Sequence, residues 1–138
     1  IHVDHIGIAV DTLEEGSRFW RLLGLLGQED DELVEDQGVT TRFFSTSTSN
    51  NQDHPTQIEL LEPTGPDTPI GRFISKKGKG VQQICFRVGD LNGLISHLIS
   101  HGVVMIDSVP RKGSGGKMIA FVHPKSTGGV LVELTEGS

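Results

Sequence analysis

Val3-Asp4-His5-Ile6-Gly7-Ile8-Ala9-Val10 is echoed later in the same chain. A slide of 78 residues sets it on Val81-Gln82-Gln83-Ile84-Cys85-Phe86-Arg87-Val88, and Leu13 on Leu91. Both stretches alternate in polarity with the period of a β-strand, and a helical pattern follows each. Each half also closes on a similar strand, Gln57-Ile58-Glu59-Leu60-Leu61 in the first and Leu131-Val132-Glu133-Leu134-Thr135 in the second. The chain therefore reads as one module written twice.

Each module reads as βαβββ. Thr12 and Glu15 form a capping-box pattern, opening a helix that Gly24 stops. Leu33 and Val34, set among acidic residues 29–36, mark a short edge before a turn at Gln37-Gly38, and Val39–Ser45 reads as a strand. Ser45–Pro55 is polar and simple in composition, as in an exposed hairpin loop. Pro and Gly punctuate a connector over 63–79, with a short helix over Ile70–Ser75. In the second module Asp90 caps a helix carrying Leu91, Leu94, Ile95 and Leu98 at i, i+3, i+4 and i+7. Val103–Ile106, Lys117–Val122 and Val130–Thr135 supply its remaining strands. The expectation is one α+β domain over residues 1–136, with module 1 at about 1–62, the connector at 63–79 and module 2 at about 80–136. The helices lie outside, and the paired modules form a curved eight-stranded mixed sheet around a cleft.

With 138 residues the chain can bury a core without staples. A net charge of −6 argues against non-specific binding to nucleic acid or an anionic membrane. No apolar run approaches the roughly 20 residues of a membrane span. The single cysteine, Cys85, rules out an internal disulfide framework and points to a reducing compartment. The expected location is the cytoplasm, or the mitochondrial matrix if a targeting peptide has been removed.

Strand alternation also selects the residues for chemistry. If Ile6, Ile8 and Val10 pack under the helix, His5 faces away. The same counting sends Glu59, Gln83 and Glu133 to the face opposite Ile58/Leu60, Ile84/Phe86 and Val132/Leu134. A lone His or Glu on such a face is ordinarily just solvated. Four at repeat-related positions form a mixed N/O donor set, suited to a divalent ion of the Zn, Co, Ni or Mn type.

These residues resemble the vicinal oxygen chelate superfamily, and within it the methylmalonyl-CoA epimerases. The similarity is carried by residues 3–10, by Ile58-Glu59-Leu60-Leu61-Glu62-Pro63, Thr68-Pro69-Ile70 and Ile84-Cys85-Phe86, by the turn Glu35-Asp36-Gln37-Gly38-Val39, and above all by His123-Pro124-Lys125-Ser126-Thr127-Gly128-Gly129-Val130-Leu131-Val132-Glu133-Leu134. It implies metal ligands at His5, Glu59 and Glu133, with Glu133 also the base at a thioester α-carbon, and a fourth ligand position at Gln83. It further implies an acyl-CoA substrate, most directly methylmalonyl-CoA, and a homodimer. Two other activities of the superfamily stand as alternatives: a lyase of the glyoxalase I type, acting on a hemithioacetal of glutathione, and a non-catalytic ligand-binding protein of the bleomycin-resistance type. The chain departs from the family pattern twice. Gln82-Gln83 stands where the family commonly has His-His. Thr41 stands where some members carry a second glutamate, and a hydroxyl is no base at neutral pH.

The remaining motifs read more plainly. Gly113-Ser114-Gly115-Gly116-Lys117 fails the P-loop pattern, because Arg111 and Met118 occupy its required Gly and Ser/Thr positions. It is expected as a flexible loop, whose Arg111, Lys112 and Lys117 suit an anionic substrate or simple solvation. His97 and His101, four apart on a helix, lack the HExxH form. His123 is expected to be structural or cleft-lining, and Phe19 and Trp20 to pack in the core or between modules.

Overall fold

Strand β1 (His2–Ala9) and helix α1 (Leu13–Leu23) form where the alternation and the capping signals place them. The Thr12 hydroxyl accepts from the Glu15 N–H at 3.2 Å, and Gly24 closes the helix with φ 103°. After these come β2 (Leu26–Gly27), β3 (Glu32–Val34), β4 (Val39–Ser45), β5 (Gln57–Pro63), α2 (Pro69–Lys77), β6 (Gly80–Val88), α3 (Leu91–Ser100), β7 (Arg111–Lys112), β8 (Met118–Val122) and β9 (Val132–Glu136). The computed structural model describes residues 1–28, 30–47 and 54–137. The Ser45–Pro55 loop expectation falls largely on residues 48–53, outside the described residues. Two units emerge: a first, His5–Gln82, and a second, Gln83–Ser138 with Ile1–Asp4.

In the first unit the strand order is β2-β4-β5-β1, with β3 also on β4. β1 and β5 run parallel, and β4 pairs antiparallel with β5. Ile6, Ile8, Val10, Ile58, Leu60 and Phe44 pack with Leu13 and Trp20 of α1, as the alternation requires. The fit is close: a Cβ on Gly16 would stand 2.6 Å from Val10 Cγ1. This unit has one strand more than expected, the two-residue β2. Its second face is also less open than expected. Ala9, Val34, Val39 and Leu61 are covered by Ile70, Phe73 and Ile74 of the connector helix α2. That helix is longer than its predicted Ile70–Ser75 core because Thr68 caps it, accepting from Gly71 N–H at 3.1 Å.

The second unit orders its strands β6-β9-β8-β7, with β6 and β9 parallel. Val88, Ala120, Val122 and Leu134 pack against Leu91 and Ile95 of α3, and Asp90 caps that helix through Gly93 N–H at 3.0 Å. The second unit thus realises the βαβββ plan and the first carries it with the extra β2; both are α+β, with a helix on one face of the sheet.

The expected strand at Val103–Ile106 does not form; only Met105 bridges to Val122. The cause is a side chain. Asp107 Oδ2 takes the Phe121 N–H at 2.9 Å, so the ladder cannot extend along β8, and Ser126 Oγ takes Val104 N–H at 2.9 Å. The edge partner of β8 is instead β7, joined to it by the tight Gly113–Lys117 turn. β9 starts at Val132, later than predicted, and Val130 is exposed. Phe19 is no core residue. It is 60% exposed and stands T-shaped to Trp20, at 5.1 Å between centroids. Among the described residues no helix is long and apolar enough to cross a membrane.

Candidate functional site

Pairing fixes which side chains share a face, because residues directly opposite on neighbouring strands project to the same side. On β1, β5 and β4 of the first unit, His5 lies opposite Gln57, Gly7 opposite Glu59, and Glu59 opposite Phe43. His5 Nε2 stands 3.1 Å from Glu59 Oε1, and both side chains are buried. The Phe43 ring meets the His5 ring edge-on at 5.6 Å, which limits how the imidazole can turn.

The second unit repeats the arrangement with different chemistry. Glu133 on β9 lies opposite Cys85 on β6 and Phe121 on β8. Gln83 donates from Nε2 to Glu133 Oε1 at 2.6 Å, and both residues are buried. That bond commits the Gln83 amide nitrogen and leaves its carbonyl oxygen as the donor atom for a cation. All four residues selected by alternation are therefore buried on the face away from the long helices, and the structure brings them together as two pairs, one in each unit.

A buried carboxylate is costly without positive charge near it. Glu59 is only 2% exposed and Glu133 6%. Imidazole nitrogen, carboxylate oxygen and amide oxygen are donors that zinc, cobalt, nickel and manganese accept. The residues present fit a divalent ion.

Alternation alone missed several supports. Glu62 Oε1 accepts the Leu13 N–H at 2.8 Å, and Glu136 Oε2 accepts the Leu91 N–H at 2.9 Å. Each unit thereby fixes the start of its helix with an acid from the same strand that carries Glu59 or Glu133, and a carboxylate there also complements the helix dipole. In the second unit Asp4 Oδ1 binds Arg87 through Nε at 2.9 Å and Nη2 at 2.6 Å. In the first, Arg42 grips Asp31 with Nε and Nη2, both at 2.8 Å, and reaches Ser17 Oγ with Nη1 at 2.9 Å. That grip holds the Asp31 carboxyl below its ordinary pKa and raises the guanidinium of Arg42. That an acid on the last strand of each unit serves the start of its helix is visible only once the strands are paired.

Other candidates take structural roles. His123 Nδ1 accepts Lys125 N–H at 3.1 Å at the head of a short 3-10 turn. His101 Nδ1 lies 2.9 Å from the His97 carbonyl oxygen. Arg111 pairs with Asp107 at 3.2 Å and lies over the Phe121 ring, while Lys112 and Lys117 are exposed. Cys85 is fully buried.

Residues 4–121 match the model of the glyoxalase/bleomycin resistance protein/dioxygenase superfamily, and the chain belongs to it. Within that superfamily its place is among the methylmalonyl-CoA epimerases, which are isomerases. It is 36% identical to the mitochondrial methylmalonyl-CoA epimerase of Dictyostelium discoideum, covering 97% of this chain and 77% of that one. The Bacillus subtilis protein YqjC, itself uncharacterized, is 38% identical over 97% of this chain and 91% of its own. A solved methylmalonyl-CoA epimerase in complex with methylmalonyl-CoA and NH4+ superposes with a TM-score of 0.90 at 33% identity, covering 99% of this chain and 94% of that one.

Proposed function

We propose that the chain, as one domain over residues 1–136, epimerises an acyl-CoA thioester, with methylmalonyl-CoA as substrate, and that His5, Glu59, Gln83 and Glu133 together hold one divalent ion. The observation that carries this reading is the burial of a His–Glu pair and a Gln–Glu pair at repeat-related positions. The relatives named above favour proton transfer over the lyase and ligand-binding alternatives.

In this reading Glu133 removes the hydrogen from the α-carbon, and the bonding pair moves onto the thioester oxygen as an enolate. Gln83 holds the carboxylate in one orientation through its 2.6 Å hydrogen bond. When bound, a divalent ion supplies Lewis-acid stabilisation for the developing oxyanion. A second copy of the chain completes the proposed homodimer, and the exposed Phe19, Leu22 and Leu23 on α1 mark the surface to examine for it.

The test is α-hydrogen exchange of methylmalonyl-CoA in deuterated water, run beside methylglyoxal plus glutathione, with metal content measured before and after chelation. Exchange that requires one bound ion per chain is expected. Exchange indifferent to chelation removes the metal from the reading, and turnover of the hemithioacetal alone replaces the epimerase by the lyase.

A further inference from the structure

His97 lies in the last turn of α3, and His101 is the residue that closes the helix. Four residues apart, they stand one above the other on the helix surface. The packing of α3 on its sheet falls to Leu91, Leu94, Ile95 and Leu98, and both imidazoles are exposed. Their ring centroids are 4.5 Å apart, with the planes tilted by 49° rather than stacked flat.

The way the helix ends fixes one ring. The His101 N–H turns to the Leu98 carbonyl at 3.1 Å, one residue short of its α-helical partner. The His97 carbonyl oxygen is taken by side chains instead. The Ser100 hydroxyl donates to it at 2.7 Å, and His101 Nδ1 lies 2.9 Å from it. A carbonyl oxygen only accepts, so Nδ1 carries the proton of the neutral His101 ring. Ser100 agrees: its hydrogen is committed to His97, so its oxygen, 3.2 Å from Nδ1, can only accept there. The lone pair of His101 is thereby assigned to Nε2. Metal-bound histidines have this form, in which one ring nitrogen donates to a carbonyl and the other coordinates.

The spacing of the rings narrows the choice of ion. A metal–nitrogen bond of about 2.0–2.1 Å sets the centroid of a coordinated ring roughly 3.2 Å from the metal. Two rings at a right angle on one ion then have centroids about 4.5 Å apart, and two at the tetrahedral angle about 5.2 Å. The observed 4.5 Å fits the right angle. Copper(II) and nickel(II) favour that angle and zinc the wider one, and copper(II) stands highest in affinity. The negative end of the α3 dipole adds attraction for a cation.

We propose that His97 and His101 form a chelating surface site for copper(II), bound through Nε2 of His101 and one ring nitrogen of His97, with water completing the coordination. The site draws on none of the buried residues and does not rest on the epimerase reading.

The full chain is titrated with Cu2+ against glycine as competitor and read by electron paramagnetic resonance. The native protein is expected to show a copper signal split by two imidazole nitrogens, little displaced by Zn2+ at equal concentration. His97→Asn and His101→Asn each weaken that component by about 100-fold, the advantage of presenting the second imidazole on the same helix. Ile99→His on the His101→Asn background keeps the histidine count but sets the rings on different faces, and restores nothing. All three positions are exposed, so melting temperatures without metal stay near native. Copper binding that is equal in the native chain and both single variants overturns the site. Loss in one variant alone assigns the copper to a single histidine and overturns the pair. Rescue by Ile99→His overturns it as well, because the number of histidines and not their spacing then governs binding.

Discussion

The two units solve the same packing problem with the same plan and end with different chemistry. Each lays one long helix on its sheet, each anchors that helix by a strand glutamate on its first N–H, and each buries a glutamate on the opposite face. Against that shared frame the partners differ. The first unit pairs Glu59 with an imidazole, and the second pairs Glu133 with an amide. The cores differ too. Trp20 and the fully buried Phe44 fill the space beneath α1, whereas the repeat-related positions hold Leu98 and Val122, which line an apolar pocket of about 270 Å³ beneath α3. A duplicated module keeps what its backbone needs, namely caps, alternation and helix anchors, and diverges in the side chains its two faces carry.

The largest expected effect separates the two glutamates. Glu133→Gln removes the proposed base, and is expected to lower α-hydrogen exchange by about 10² to 10⁴-fold. Glu59→Gln, assayed at saturating metal, loses less. Equal losses in exchange kinetics would mean the two units contribute alike and the asymmetry is only apparent.

Packing comes next. Phe44→Ala, at a site with no exposure, costs about 3 to 5 kcal/mol in a urea titration. Val122→Ala, beside an existing pocket, costs less, and Val122→Phe, which grows into that pocket, is tolerated. A Val122→Phe variant as damaged as Phe44→Ala breaks that part of the comparison.

Restoring symmetry is a gentler test. Gln83→His replaces a hard neutral oxygen by an imidazole, and the variant should retain zinc or cobalt through dialysis better than the native chain. Its cost is the hydrogen bond that orients Glu133, so tighter metal with slower exchange is the expected combination.

The smallest effect concerns a tether that the first unit alone possesses. Arg42 holds Asp31, while the repeat-related residue of the second unit is Ala120. Because the hydrogen bond from Arg42 depresses the Asp31 pKa, its stabilisation is full above the unfolded carboxylate value near 4 and is lost as pH falls through the lower folded value. For so exposed a pair the amount is about 0.2 to 1 kcal/mol. The melting temperatures of the native chain and Asp31→Asn should differ slightly at pH 6 and converge toward pH 3. A gap that stays constant with pH would assign the effect to packing instead.

Local pattern was enough for most of the elements. Alternation is a property of neighbours in sequence, so it placed His5, Glu59, Gln83 and Glu133 on the correct faces before any strand was paired, and Thr12, Asp90 and Gly24 announced the helix ends. Three matters needed the third dimension, because each depends on how groups pack around one another. The Phe121 N–H goes to Asp107, so Val103–Ile106 forms one bridge and no strand. The connector helix turns its apolar side onto Ala9, Val34, Val39 and Leu61 and closes part of a face that alternation alone left open. Phe19 faces outward because Trp20, one residue on, already fills the space beneath the helix. Periodicity assigns a side chain to a face of its own strand. Only pairing says which residue of another strand lies beside it.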